Sequence, residues 1–374
     1  MDVDIHRKPI DERITWLFDL ASRHSEAFSG AEAWLARRRY LVEHPTAIAA
    51  LKCMDGRVNL SVATQTPPGI IQPFRNLGGM FDLGWPHLGE VLAHYVQRMV
   101  GQGRRVLMLI TYHYSKGDAR RGCAGFDYDT GAATRHTYAI KQQIEHIFGT
   151  GHGTVYPLVC GFETDEDALI LHGEKGETLD LSTLPPGDGP ELAPRLATLF
   201  PDMPDQIRED LLPLLEGNLG RIDQVRQVSR ALDIEHREWM ICLGRGFDFL
   251  HTPNVALIIG PYSPNLAEPI NKAASIINDN MKAGRIPDDG FFLLASVPYD
   301  EIGVDRARAE LKSRFLSSFA ATVIRRDFPE LSRKMYTRDA VLDWRSRSLE
   351  TIDENRTDPA LCPQLATSRT PVRQ

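Results

Sequence analysis

The sequence predicts an α/β protein in which a mostly parallel sheet is flanked by helices. Apolar runs at residues 47–51 and 105–111 have the length and composition of buried strands. Between them, residues 86–101 carry apolar side chains at helical spacing, from Pro86 in the first turn to Gly101 at the end. A strand, a helix and a second strand in this order favour parallel strands joined by a crossover helix.

The sequence pattern also predicts the other parts of the first half of the chain. Residues 1–45 are expected to form an N-terminal helical arm, because apolar residues recur there at helical spacing. Residues 46–182 are predicted to form one α/β domain. Within it we expect a second strand at Val58–Ala63, and a helix over about 134–148 that leads to a strand at 155–160.

The remaining sequence predicts a linker, a second domain and a tail. Residues 183–238 are rich in proline and glycine at their start, which favours a linker that carries helices. A similar order of apolar runs then returns, so residues 239–350 are predicted to form a second α/β domain. Residues 351–374 are expected to be disordered. The predicted elements of the second domain are strands at 239–242, 255–260 and 291–297 and helices at 266–281 and 305–328.

The two predicted domains can be aligned as diverged copies of each other. Residues 51–60 can be laid over residues 240–249, and residues 105–115 over residues 289–300. The second alignment places Pro298 at the position of His113. We therefore expect a degenerate second half that lacks a metal site.

Composition excludes several classes of protein. The 374 residues carry a formal net charge of −7, which argues against a nucleic-acid binder. No apolar run reaches the roughly 18–20 residues that a membrane span needs, and the N-terminal sequence is charged where a signal peptide would be apolar. The predicted compartment is the cytoplasm. Five cysteines form an odd and sparse set, which favours reduced thiols over a disulfide framework.

Chemically versatile side chains follow two of the predicted strands. The sequence Cys53-Met54-Asp55-Gly56-Arg57 begins where the first strand ends, and His113 follows residues 105–111. Because parallel strands place their carboxyl ends at one edge of a sheet, we expect these side chains to meet there. Cys123 follows in a polar loop. Cys53, His113 and Cys123 are the predicted metal ligands, whereas Cys160 and Cys242 are interpreted as core residues and Cys362 as part of the tail.

Two thiolates and one imidazole suit a catalytic zinc site, which uses three protein ligands and leaves a fourth position open to water. We predict one Zn²⁺ per chain. Asp55 and Arg57 point to the same side of an extended segment, so Arg57 can hold Asp55 ionised through two hydrogen bonds. Asp55 is then able to orient a metal-bound hydroxide. The alternatives are an ordinary structural ion pair for Asp55 and Arg57, and core packing for the cysteines.

These residues resemble the β-type carbonic anhydrases, in which Cys-x-Asp-x-Arg is the hallmark motif. Arg75-Asn76-Leu77-Gly78-Gly79 is similar to the Arg-Asn-Ala-Gly segment of that family, and Cys123-Ala124-Gly125 to its Cys-Gly-Gly. Nine residues, 114–122, separate His113 from Cys123, where ordinary members have two. This wider spacing resembles the carboxysome shell carbonic anhydrases, which also carry a degenerate half without metal.

The resemblance implies reversible hydration of carbon dioxide to bicarbonate by zinc-bound hydroxide, with Asp55 and Arg57 as catalytic residues. It implies a β-carbonic-anhydrase-like sheet, a homodimer or higher homo-oligomer, and association with a carboxysome shell or RuBisCO. Shell enzymes have a longer N-terminal helical region than the roughly 45 residues present here. Two alternatives remain open: hydrolysis of a related heterocumulene such as carbonyl sulfide or carbon disulfide, and a non-catalytic metal-binding scaffold.

Overall fold

Two mostly parallel sheets form the centre of the molecule. The computed structural model describes residues 4–185, 189–228, 233–247 and 249–352. The helices are α1 (Ile10–Ser29), α2 (Ala31–Glu43), α3 (Leu60–Ala63), α4 (Pro86–Gly101), α5 (Thr130–Phe148), α6 (Gly189–Leu199), α7 (Asp205–Arg226), α8 (Ala267–Lys282), α9 (Val304–Asp327) and α10 (Pro329–Ser332). The strands are β1 (Ala47–Cys53), β2 (Ile71–Asn76), β3 (Val106–Tyr114), β4 (Val155–Glu163), β5 (Ala168–His172), β6 (Thr178–Asp180), β7 (Met240–Leu243), β8 (Ala256–Ile259), β9 (Phe291–Tyr299), β10 (Met335–Asp343) and β11 (Leu349–Thr351).

The first sheet has the strand order β2-β1-β3-β4-β5-β6. Strands β2, β1, β3 and β4 are parallel, and β5 and β6 add to the edge in antiparallel orientation. Every residue of β1 is buried, because both faces of the sheet are covered. Ala49 and Leu51 face a core shared with α4 and α5, while Ile48 and Ala50 face a core shared with α6 and α7.

Helices α6 and α7 therefore pack on the first sheet. Their apolar side chains share one hydrophobic core with β1, β4 and β5. These side chains include Leu192, Leu196, Leu211 and Leu215. The segment predicted as a linker thus supplies a packed layer of the first half, although its proline and glycine content is typical of a linker. The division of the chain at residues 46, 183, 239 and 351 stays a prediction.

The second sheet repeats the order of the first. Its strands run β8-β7-β9-β10-β11, with the first four parallel and β11 antiparallel. Strands β7, β8, β9 and β10 thus take the places that β1, β2, β3 and β4 hold in the first sheet. The predicted second α/β half is present with the same topology. Strand β11 includes residue 351, and the predicted tail from residue 353 lies outside the described residues.

The N-terminal arm crosses from the first half to the second. Leu17 and Ala21 of α1 are buried in the core of the second sheet, and Phe18 meets Phe292 of β9 edge to face at 6.1 Å. The guanidinium of Arg13 is fully buried and pairs with Asp289. Helix α2 has no buried side chain. No helix among the described residues is long and apolar enough to cross a membrane.

The two halves are joined by backbone hydrogen bonds at the ends of β1 and β2. The N–H groups of Asn254 and Ile258 donate to the carbonyls of Gly56 and Met54, at 2.8 and 2.9 Å. The Gly260 N–H donates to the Arg75 carbonyl at 2.8 Å. The segment that follows β1 is therefore fixed against the second half.

One predicted strand is a helix instead. Val58–Ala63 alternates in a way that resembles a short strand, but residues Leu60–Ala63 form α3. The side chain of Asn59 accepts a hydrogen bond from the Val62 N–H and caps this helix. The strand beside β1 is β2, which ends at Asn76.

Candidate metal centre

The three predicted metal ligands meet at the carboxyl edge of the first sheet. One ligand atom from each of Cys53, His113 and Cys123 lies within 4.8 Å of the others, and all three residues are buried. Cys53 is the last residue of β1, and His113 lies near the end of the adjacent parallel strand β3. The expected meeting of strand ends is therefore present in the structure.

Cys123 reaches the site at the end of the nine-residue loop that separates it from His113. Ser115 anchors the start of this loop by donating to Asp165 at 2.9 Å. The Arg121 carbonyl accepts a hydrogen bond from the Arg57 guanidinium at 2.8 Å. After the loop, the Cys123 carbonyl accepts a hydrogen bond from the Tyr128 N–H at 3.0 Å. The long spacing thus encloses an ordered loop that returns the second thiol to the site.

The donor set fits a zinc ion. Both ring nitrogens of the buried His113 have no hydrogen-bonding partner in the described part of the chain, which is costly for a buried imidazole unless it binds a ligand. Burial raises the pKa of the Cys53 thiol, and the hydrogen bond with Cys53 lowers the pKa of Cys123. Burial acts to lower the pKa of His113, but Cys53 and Asp55 more than offset it, so that this pKa is raised. A divalent cation would satisfy two thiolates and the imidazole at once.

Asp55 and Arg57 form a buried two-pronged ion pair beside the three ligands. Arg57 Nη2 lies 2.7 Å from Asp55 Oδ2, and Arg57 Nε lies 3.1 Å from Oδ1. Burial would raise the pKa of Asp55, but Arg57 outweighs it and holds this pKa well below its usual range. Asp55 Oδ2 is also 3.8 Å from Nε2 of His113. The ionised Asp55 carboxylate therefore lies next to the three candidate ligands, and the Arg57 guanidinium holds it in this position.

Arg75 and Gly79 fix the backbone behind the site. Arg75 Nη1 donates to the carbonyls of Cys53 and Asp55 at 3.2 and 2.9 Å, and burial lowers the pKa of Arg75 to about 10. Gly79 has a φ of +65°, and a Cβ there would lie 2.9 Å from the Thr111 carbonyl oxygen and 3.5 Å from the Cys53 nitrogen. The backbone therefore approaches the site closely at Gly79, which a residue with a Cβ could not allow without a shift.

The segment that leads into β7 contributes two residues that the sequence did not reveal. His236 Nε2 lies 2.9 Å from Arg57 Nη2 and 3.7 Å from Asp55 Oδ2. His236 Nδ1 lies 2.9 Å from Oε2 of Glu238, whose other oxygen accepts the Gly56 N–H at 3.1 Å. Because Arg57 can only donate, we assign the lone pair of His236 to Nε2 and its proton to Nδ1.

Glu238 is fully buried, and its negative charge is compensated inside this network. Burial acts to raise the pKa of Glu238, but His236 outweighs it and the pKa is lowered. In the sequence, His236 and Glu238 precede the apolar run of β7, and no recognisable motif surrounds them. The available sequence signal is that these two residues lie on one side of an extended segment. No local pattern connects this pair with Asp55 and Arg57.

The other cysteines lie apart from the metal centre. Cys160 and Cys242 are fully buried core residues, as predicted. Cys362 lies outside the described residues.

The fold and the site define a class of protein. A Cys–His–Cys group at the carboxyl edge of a parallel sheet, with an Asp–Arg pair beside it, is the arrangement expected for a carbonic anhydrase of the β type. Residues 44–181 match the family model described as Carboxysome Shell Carbonic Anhydrase, catalytic domain. This segment matches that family, which confirms the predicted family resemblance. The match also confirms the prediction that the chain carries a carbonic anhydrase domain.

Comparison of structures finds a β-carbonic anhydrase, CcaA, among the similar chains. The identity is 12% and the TM-score 0.35, over 45% of this chain and 92% of that one. A likeness of this size is weak, and the family match of residues 44–181 is the stronger finding. No curated protein matches the sequence significantly.

Proposed function

We propose that the chain is a zinc-dependent carbonic anhydrase that catalyses reversible hydration of carbon dioxide to bicarbonate. The family of residues 44–181 supports the reaction class. The observation that carries the proposal is the position of Asp55 Oδ2, which is 3.8 Å from the ligand imidazole of His113 and 2.7 Å from Arg57. A purely structural metal site would need no such carboxylate.

Cys53, His113 and Cys123 would hold the zinc. When bound, zinc supplies Lewis acidity that brings the pKa of a coordinated water to about 7. Among the described residues, this group of candidate ligands contains three members. Three protein ligands leave a position for water and favour a catalytic site over a structural one.

Asp55 is the hydrogen-bond acceptor beside that position. Because Arg57 donates to both carboxylate oxygens, Asp55 stays ionised and cannot turn its carboxylate toward the three ligands. Asp55 is therefore able to accept a hydrogen bond from the attacking oxygen and to orient its lone pair toward carbon dioxide. The role of Arg57 is to fix this orientation.

His236 offers a place for the proton that hydration releases. Its Nε2 carries the lone pair and lies 3.7 Å from Asp55 Oδ2, and its side chain is 15% exposed to solvent. Glu238 accepts the Nδ1 proton and would stabilise the imidazolium that forms when Nε2 is protonated. We propose that Nε2 takes the proton from the neighbourhood of Asp55 when its hydrogen bond from Arg57 opens, and that the imidazole then passes the proton to solvent.

The test is stopped-flow hydration of carbon dioxide, with zinc quantified in the same sample. We expect about one zinc per chain and activity that disappears with the metal in Cys53→Ala. Cys160→Ala is the matched control, because Cys160 is an equally buried thiol outside the site. Zinc-loaded protein without hydration activity would contradict the proposal, and turnover of carbonyl sulfide or carbon disulfide by that protein would support the heterocumulene alternative.

Location and assembly are separate proposals. The family of residues 44–181 supports a place in a carboxysome or in the cytoplasm. We propose the carboxysome shell or RuBisCO as the partner. We also propose a homodimer or higher homo-oligomer. Cofractionation of the tagged protein with purified carboxysomes tests the first proposal, and light scattering of the purified protein tests the second.

A further inference from the structure

The second half contains a cavity at the position that the metal centre occupies in the first half. Strands β3 and β9 both have nine residues and pair along their whole length with β4 and β10. Leu51 pairs with Ile110 of β3, and Leu243 pairs with Ala295 at the same place in β9. In this register, Pro298 corresponds to His113, as the sequence alignment predicts.

The same register places Arg245, two residues beyond Leu243, at the position of Cys53. Laying residues 51–60 over residues 240–249 differs from this register by three residues. Both the imidazole and the first thiol of the metal centre are therefore replaced in the second half. Their replacements, Pro298 and Arg245, line a cavity of about 220 Å³.

Three cationic side chains line this cavity. Arg308 and Lys312 come from one face of α9 and join Arg245, while Gly244, Pro261 and Pro298 complete the wall. One carboxylate, Asp305, also lines it, but Asp305 Oδ2 accepts the backbone N–H groups of Asp300 and Glu301 at 2.7 and 3.2 Å. The cations therefore outnumber the anions in the wall.

The three positive charges of the cavity exceed the negative charges of the nearby carboxylates Asp305 and Glu90. Among the described residues, none forms a salt bridge with Arg245, Arg308 or Lys312. The Nε of Arg245 is buried without a hydrogen-bonding partner in the described ranges, and its guanidinium lies 5.6 Å from the centre of the Phe74 ring. Lys312 Nζ contacts the neutral acceptor His87 Nε2 at 3.3 Å.

The cations also repel one another. Burial and the nearby Arg245 lower the pKa of Lys312, against the opposite effect of Glu90. Such an arrangement is unfavourable in a protein unless an anion relieves it.

We propose that this cavity is a binding site for a small, doubly charged oxyanion of the phosphate type. Guanidinium groups match the geometry of phosphate oxygens, and an ammonium adds a point charge. Two arginines and one lysine suit a dianion better than a monoanion such as bicarbonate. The cavity is larger than one phosphate group, so the phosphate of a small phosphorylated metabolite also fits this chemistry. The site is separate from the metal centre, and its existence does not depend on the proposed enzymatic function.

The test is calorimetric titration of zinc-loaded protein with inorganic phosphate at constant ionic strength. We expect saturable binding that weakens at least about tenfold in Lys312→Met and in Arg308→Gln, since each removes a charge-assisted contact. Lys282→Met is the matched control, because Lys282 is an exposed lysine at the end of α8, and it should bind like the wild type. Metal-free Cys53→Ala should also retain binding, which would place the phosphate outside the metal centre.

Three outcomes would overturn the proposal. The first is unchanged phosphate affinity in both cavity variants, and the second is loss of binding in Cys53→Ala alone. The third is bicarbonate binding as tightly as phosphate with the same dependence on Lys312 and Arg308, which would contradict the preference for a dianion. A phosphorylated sugar that binds more tightly than inorganic phosphate, and loses this gain in Lys312→Met, would support the metabolite as the source of the phosphate group.

Discussion

Arg57 Nη2 lies 2.9 Å from His236 Nε2, so one guanidinium joins the Asp55 carboxylate to an imidazole from the segment that leads into β7. The same Nη2 contacts Asp55 at 2.7 Å, and Arg57 Nη1 donates to the Ile234 carbonyl at 2.8 Å. The metal centre is therefore completed by residues from both halves of one chain. Each of these contacts leads to a result that can be measured.

Replacing Asp55 by Asn should leave the zinc content unchanged and lower kcat by about 100-fold or more. Asn keeps the shape of the side chain, but its neutral amide cannot replace the ionised acceptor beside the ligands. Zinc analysis and stopped-flow hydration on one sample give both quantities. Full hydration activity in this variant would rule out the role of Asp55.

Replacing Arg57 by Met should destabilise the protein by about 3–5 kcal/mol, because Asp55 is left buried and unpaired. The double variant Asp55→Asn/Arg57→Met should recover part of that loss, since no buried charge remains alone. Urea unfolding of the four proteins gives the coupling energy between the two residues. Additive effects of the two substitutions would show that the pair does not act as a unit.

Replacing Glu238 by Gln, or His236 by Gln, should lower hydration activity by about 10–100-fold while zinc remains bound. Glu238→Gln removes the negative charge that holds the imidazole next to Arg57, and His236→Gln removes the imidazole itself. In His236→Gln, added imidazole buffer should restore part of kcat, which a merely structural role would not explain. His94→Gln, at an exposed position on α4, serves as the control and should have wild-type activity.

Replacing Gly79 by Ala should weaken zinc binding as well as stability. The new Cβ would lie 2.9 Å from the Thr111 carbonyl oxygen, and the backbone that must shift lies directly behind Cys53. Gly103→Ala is the control, because Gly103 has a similar φ of +74° but no neighbour within 4 Å. It should lose only about 1–2 kcal/mol of stability from the left-handed backbone. Equal zinc affinity in both variants would mean that the close approach does not matter.

Stability should fall between pH 6.5 and pH 3 partly because of His24. Burial, together with His251, Arg347 and Arg37, lowers the pKa of His24 to about 3 in the folded protein. The unfolded chain, with a pKa near 6.5, binds more protons in this range, so acid favours unfolding. His24→Gln should therefore lose less unfolding free energy than the wild type between pH 7.5 and pH 5. An identical loss in both proteins would contradict this assignment.

The grouping of the three candidate metal ligands could be predicted because their signals are local. Cys53 and His113 each stand at the end of an apolar run, and parallel strands bring such ends together whatever the details of the fold. The Asp55–Arg57 pair follows from alternation within three residues. The structure brings all of these side chains into contact.

The rest of the site could not be predicted, because its signals depend on packing between the halves. His236 and Glu238 reach the site only because the second sheet is joined to the first, and no local pattern records this contact. The residues of Val58–Ala63 are typical of a strand, but the side chain of Asn59 caps a helix over Leu60–Ala63. Short apolar runs resemble one another, so laying residues 51–60 over residues 240–249 gives a different register from the pairing of β7 with β9, which assigns Arg245 to the position of Cys53.

The crossing of α1 onto the second sheet has a consequence for how the protein is made. A ribosome releases the N-terminal segment first, yet Leu17 and Ala21 find their core only after β9 has emerged. His236 and Glu238 likewise arrive long after Cys53 and Asp55 have left the exit tunnel. The enzyme therefore completes this network late in translation, and an interrupted chain that contains all three candidate metal ligands would still lack the residues that contact Arg57 and Gly56.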